Sequence, residues 1–243
     1  MKRTLRKRWH QRLRLMICMS LCAGSLSTAY SATPDSFKTQ EYYDSTGLNL
    51  IKAADAYALG YTGKGITLGI FDDYVKFSHP EFSRKLSSRT TFDLPDTINW
   101  EKDLHGTHVA GIMAADKNNV GMHGVAFDAD LLSGAFVGGS IKPAYDVLNQ
   151  YRHIKIINNS WGADVYPDEV GKQFITDALK PTADVLEDSI IKHDKVLVFA
   201  SGNNGHPTSG GESTLSYILD SRTLITRLVA QRPSLDKVLF DSL

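Results

Sequence analysis

Apolar and polar positions along this chain switch repeatedly between two periods. Ile66 to Phe71 is a short β-branched and aromatic run that ends on two acids, Asp72 and Asp73. Leu131 to Val137, Ile154 to Ile157 and Val196 to Ala200 are further short apolar runs, with the length and composition of strands. Between them lie stretches with helical spacing: Leu50 to Leu59, then His105 to Ala115, Tyr145 to Tyr151 and Glu169 to His193. Gly60 suits the C-terminal cap of the first. Pro181 falls inside the last and is expected to break or kink it, because it has no amide hydrogen and its ring clashes with the preceding turn. Strands alternating with helices predict an α/β fold of three layers, αβα, around a mainly parallel sheet. In such a sheet, ligands and chemistry gather beyond the carboxyl ends of the strands.

The first 31 residues stand apart from this pattern. Lys2, Arg3, Arg6, Lys7, Arg8, Arg12 and Arg14 precede a short apolar run, Leu15 to Ala23, and Ala29-Tyr30-Ser31 offers a small-residue cleavage site. That arrangement reads as a secretory signal peptide, since the apolar run is well short of the ~20 residues a spanning helix needs. Cys22 does not make a lipid-attachment site, because bulky Leu21 precedes it. Removing seven basic residues from 27 leaves 20 against 27 acids. The exported chain would be mildly acidic, with no basic patch to attract nucleic acid. Both cysteines, Cys18 and Cys22, lie in the same segment, so no disulfide is expected in the remainder. The glycines from Gly60 to Gly65 complete no phosphate-binding pattern, and nucleotide binding is not expected.

Candidate chemistry concentrates in four segments. Asp72 sits where a strand leaves the sheet and can aim its carboxylate into a crevice; Asp73 competes for that role. Asp103-Leu104-His105-Gly106-Thr107-His108-Val109-Ala110-Gly111 puts an imidazole at the mouth of a small-residue helix, with Gly106 and Gly111 expected to allow close packing. His105 and His108 could share a metal at i, i+3, but a zinc site would need a third ligand and usually a general-base carboxylate, and no His-Glu-x-x-His is present. Ala200-Ser201-Gly202-Asn203-Asn204-Gly205 follows an apolar run, and Ile156 to Gly162 ends on Asn158-Asn159-Ser160-Trp161-Gly162. The sequon at Asn158 is read as coincidental in a buried strand.

In this order the segments resemble the subtilisin-like serine proteases, the subtilases. The resemblance covers about residues 47 to 217 and implies a subtilisin-like fold, C-terminally incomplete. It assigns the triad acid to Asp72 and the general base to His105, with His108 packing nearby. Asp73 and Tyr74 stand where the family pattern has Thr/Ser and Gly. Asn203 would supply the oxyanion-hole amide. Ser160, Trp161 and Gly162 would pair with an extended polypeptide substrate, Trp161 either walling a specificity pocket or filling the core.

The nucleophile is missing. Subtilases carry it in Gly-Thr-Ser-Met-Ala-x-Pro, and none of the 40 residues after Asn203 spells that motif. Ser209, in Pro207-Thr208-Ser209-Gly210, lacks the helix-forming continuation. The expected organisation is residues 1–31 as signal peptide, 32–46 as a short N-terminal extension, 47–226 as a partial catalytic domain and 227–243 as a divergent tail. The expected protein is a secreted serine endopeptidase, truncated before its serine and inactive as this chain. The alternative is a non-catalytic peptide-binding remnant of the fold. No cofactor is expected; calcium, frequent in the family, is not identifiable from these residues. The short span between leader and domain resembles an autotransporter passenger, so any membrane contact would come through a C-terminal region.

Overall fold

The hub of the sheet is β1, Thr67–Asp72, which pairs in parallel with a strand on each side. The structure, a computed structural model, describes residues 32–85, 88–90, 105–136, 140–161, 172–200 and 226–227. The chain divides into two units, Met1–Ala32 and Thr33–Leu243, and the elements described belong to the second. The other strands are β2 (Arg89–Thr90), β3 (Asp130–Ala135), β4 (Ile156–Asn159), β5 (Val196–Phe199) and β6 (Thr226–Arg227), in the order β2-β3-β1-β4-β5-β6. Every pairing between them is parallel.

Apolar clusters cover both faces of the sheet at β1, the arrangement a parallel sheet requires. Along β1, Ile70 packs on one side with Leu131, Ala110 and Ala114, the last two from helix α4, His105–Ala114. Phe71 packs on the other with Tyr145 and Leu148 of α5 (Lys142–Gln150) and Leu186 of α6 (Lys172–Ile191). The fold is therefore a three-layer α/β architecture. A third cluster joins Tyr42, Leu48, Ala53, Ala54 and Tyr57 of α1 (Gln40–Asp44), α2 (Thr46–Leu50) and α3 (Ala53–Ala58) to Phe127. Among the described residues, no helix is long and apolar enough to cross a membrane.

Three local expectations change. The helix expected over Leu50 to Leu59 is shorter: α2 ends at Leu50 and α3 spans Ala53–Ala58, with Lys52 between them at φ 57°. An unbroken helix would place Lys52 one turn after the buried Leu48; the break brings in Ala53 and Ala54 instead. Helix α6 runs continuously through Pro181 rather than ending there. Burial of Ala183 and Leu186 against the sheet outweighs the one backbone hydrogen bond lost. Strand β4 is displaced toward the polar Asn158 and Asn159, while Ile154 lies in a turn and is still fully buried. Strands β2 and β6, two residues each, carry too little pattern to be legible.

Candidate active site

The order of strands places β1 between β3 and β4. The chain runs from β1 out to the edge, returns through β3 and then crosses to the other side. The carboxyl end of β1 is thus the point where the winding reverses and a crevice opens. Asp72 is the last residue of β1, in register with Ala135 of β3, and Ser160 lies one residue past the Phe71–Asn159 pair with β4.

Across this crevice stands the start of α4. His105 Nδ1 lies 2.5 Å from Asp72 Oδ1, the acid buried and the imidazole side chain 52% exposed. The hydrogen bond to Asp72 raises the His105 pKa above the ordinary histidine value, and burial works against it. An Nδ1–H donated to the carboxylate leaves Nε2 as the acceptor nitrogen. His108, one turn on, is shifted the other way, first by burial and then by the nearby His105. Asp72, and not Asp73, therefore meets the imidazole.

Asp73 faces the helix instead. Its Oδ1 accepts the Gly106 amide, and its own amide donates to Asp72 Oδ1 at 2.9 Å. Burial raises the Asp73 pKa, and the Gly106 amide opposes that shift. A Cβ on Gly106 would lie 2.6 Å from Asp73 Oδ1, so the close approach expected here is real. Gly111 differs: nothing lies within 4 Å of the Cβ it lacks. Asp72, Asp73 and His105 offer ligand atoms within 4.8 Å of one another, a spacing that a metal could also use.

Trp161 is half-buried and packs against the core on this side of the sheet. Its ring packs on Phe71, Phe136 and Phe199, with centroids 5.7, 5.3 and 5.5 Å away. Its Nε1–H donates to Asn159 Oδ1 at 3.0 Å, which also accepts the Tyr145 hydroxyl at 2.7 Å. Phe136 remains 40% exposed beside it. Ser160 Oγ accepts from the Asn158 side-chain Nδ2 at 3.0 Å. The Ala200 amide donates to the Asn159 carbonyl, so β5 ends beside the end of β4. Asn203, Gly162 and Ser209 lie outside the described residues.

A second acidic site has no counterpart among the sequence expectations. Glu41 of α1 and Glu81 both reach the loop after α4: Glu41 Oε1 accepts the Asn118 amide at 2.8 Å and Glu81 Oε1 the Met122 amide at 3.4 Å. Both residues are buried, and each keeps its Oε2 without a hydrogen-bond partner among the described residues. Burial pushes the Glu81 pKa up to about 6, and the neighbouring Glu41 adds to it. Gly121, at φ 56°, has no Cβ to strike Glu81 Oε1. The two acids stand 40 positions apart in unremarkable segments, and only the tertiary fold pairs them.

Comparison with known proteins points one way. A profile described as the Subtilase family matches residues 63–226. An extracellular serine protease of Serratia marcescens is 41% identical over 175 residues, which is 65% of this chain and 16% of that protein. Subtilisin DY of Bacillus licheniformis is 31% identical over 175 residues, 70% of this chain and 58% of its own length. Among solved structures, fervidolysin from Fervidobacterium pennivorans aligns over 67% of this chain and 25% of its own, with 21% identity and a TM-score of 0.45. The chain thus spans less than two thirds of each of these relatives.

Proposed function

This chain belongs to the Subtilase family, whose profile matches residues 63–226, and from that membership we propose that it supplies the acid, the base and the oxyanion donor of a secreted serine endopeptidase. The observation that carries this reading is the Asp72–His105 contact at the switch point of the sheet. The buried carboxylate fixes the imidazole tautomer and stabilises the imidazolium formed when Nε2 takes a proton from an attacking hydroxyl. Asn203 would direct its side-chain amide at the oxyanion. Such a donor contributes ~10²–10³ in turnover, a magnitude that belongs to subtilisin itself and is carried over from it to this chain. An extended polypeptide would pair with the backbone of Ser160 to Gly162 in the manner of an added strand, with Trp161 and Phe136 offering aromatic surface beside it.

The nucleophile motif is not among the 243 residues, so the chain by itself is proposed to hydrolyse peptides negligibly. The leader-like residues 1–31 and the extracellular relative support export, and the autotransporter passenger arrangement belongs to the same reading. Calcium is proposed as a structural ligand at Glu41 and Glu81. Two buried carboxylates, each with an oxygen unpartnered among the described residues, fit a hard cation.

The reading is tested by treating the 243-residue chain with a fluorophosphonate probe and an extended peptide. Labelling and hydrolysis are expected at the level of the His105→Ala control. Labelling of Ser209 that His105→Ala abolishes would overturn it.

A further inference from the structure

The turn after β1 touches both members of the Asp72–His105 pair. Asp73 donates its amide to Asp72 Oδ1 at 2.9 Å, the same oxygen that faces His105 Nδ1. Its side chain accepts the amide of Gly106 in the first turn of the helix that carries the imidazole. That amide belongs to a helix N-terminus, where the first four N–H groups have no intrahelical partner and negative charge is favoured. Two further bonds tie the same segments together: Lys76 donates its amide to Thr107 Oγ1 at 3.0 Å, and Thr107 donates its hydroxyl to the Tyr74 carbonyl at 3.3 Å.

The fit depends on the glycine. A Cβ at position 106 would stand 2.6 Å from Asp73 Oδ1 and 3.1 Å from the Tyr74 carbonyl oxygen. The carboxylate therefore occupies space that only Gly106 leaves. The Thr107 bonds hold the turn and the helix at one height, and Asp73 also reaches Asp72 through its amide.

We propose that Asp73 is the positioning residue of the pair: its amide orients the Asp72 carboxylate while its carboxylate anchors the helix start, setting the separation of acid and base. The proposal rests on reading Asp72 and His105 as acid and base. A hydroxyl, as in the Thr/Ser of the family pattern, would also accept the Gly106 amide; the carboxylate does so and adds charge beside the imidazole. Among the described residues, the titratable groups facing His105 are Asp72 from β1, Asp73 from the turn and His108 from the same helix.

The test is histidine-labelled NMR of the 243-residue chain, following the low-field Nδ1 proton of His105 and its titration midpoint. In Asp73→Ala the low-field signal should be lost to exchange and the midpoint should fall by about one pH unit. Asp73→Ser and Asp73→Asn keep an acceptor for Gly106 without the charge, and both should restore the signal. An Asp73→Ala spectrum like that of the native chain would overturn the proposal. So would Ser and Asn variants that behave like Ala, since charge alone would then be at work. Asp72→Asn should abolish the signal in every background; its survival there would instead overturn the acid–base reading beneath.

Discussion

Asp72 and His105 stand 33 positions apart in sequence and meet at 2.5 Å through Oδ1 and Nδ1. The contact raises the histidine pKa in the folded chain, which fixes its pH signature. A raised pKa gives stability that is fully present below the unfolded histidine value and is lost as pH rises through the folded one. Asp72→Asn should therefore lower the melting temperature more at pH 6 than at pH 9. The half-exposed ring limits the effect to roughly 2 °C at pH 6. Equal losses at both pH values in thermal unfolding would contradict the coupling.

Two glycines in one helix make opposite predictions. Gly106→Ala would drive a Cβ against Asp73 and the Tyr74 carbonyl and should destabilise by about 1–3 kcal/mol. Gly111→Ala meets nothing within 4 Å and should be neutral or stabilise by up to about 1 kcal/mol from helix propensity. Urea denaturation of the two variants checks the contrast; similar losses in both would mean that the close approach at position 106 is not specific.

Much of this was legible because the residues concerned lie within short segments. The apolar run ending on Asp72 marks β1, and the small residues from Gly106 to Gly111 mark a helix able to pack closely on it. The resemblance favours Asp72 over Asp73, and the fold supplies the reason: Asp72 Oδ1 faces the imidazole while Asp73 accepts the Gly106 amide. The break at Lys52 was hidden because local helix spacing continues through it, and burial of Ala53 and Ala54 overrides that spacing. Pro181 does not end α6 for a related reason, since packing of α6 on the sheet outweighs a local breaker. Glu41 and Glu81 were illegible because neither belongs to a motif.

Calcium should stabilise the chain through those two acids. At saturating calcium and pH 7.5 the melting temperature should rise by about 5 °C, and Glu81→Gln should lose most of that response. Protonation competes with the cation at Glu81, whose pKa burial pushes up to about 6. The response should fade below that pH. Without calcium the sign follows the raised pKa: stability from this group falls as pH rises through about 6. An absent shift at pH 7.5, or one that Glu81→Gln leaves intact, would contradict the assignment.

Export predicts a defined new N-terminus. Expressed in a bacterium with a general secretory pathway, the product should begin at Ala32, after Ala29-Tyr30-Ser31. Intact-mass measurement of the periplasmic or extracellular protein checks this, and retention of Met1 to Ser31 on the exported chain would contradict it. Ser31→Pro beside the cleavage site should slow processing and leave a larger precursor.

The acid–base pair itself is tested most directly by the nitrogen-15 shifts of His105 in the 243-residue chain across pH 5 to 9. The expected result is a neutral ring protonated at Nδ1 with Nε2 bare, a midpoint above the ordinary histidine value, and loss of both features in Asp72→Asn. A ring protonated at Nε2, or a midpoint at or below the ordinary value that Asp72→Asn does not move, would contradict it.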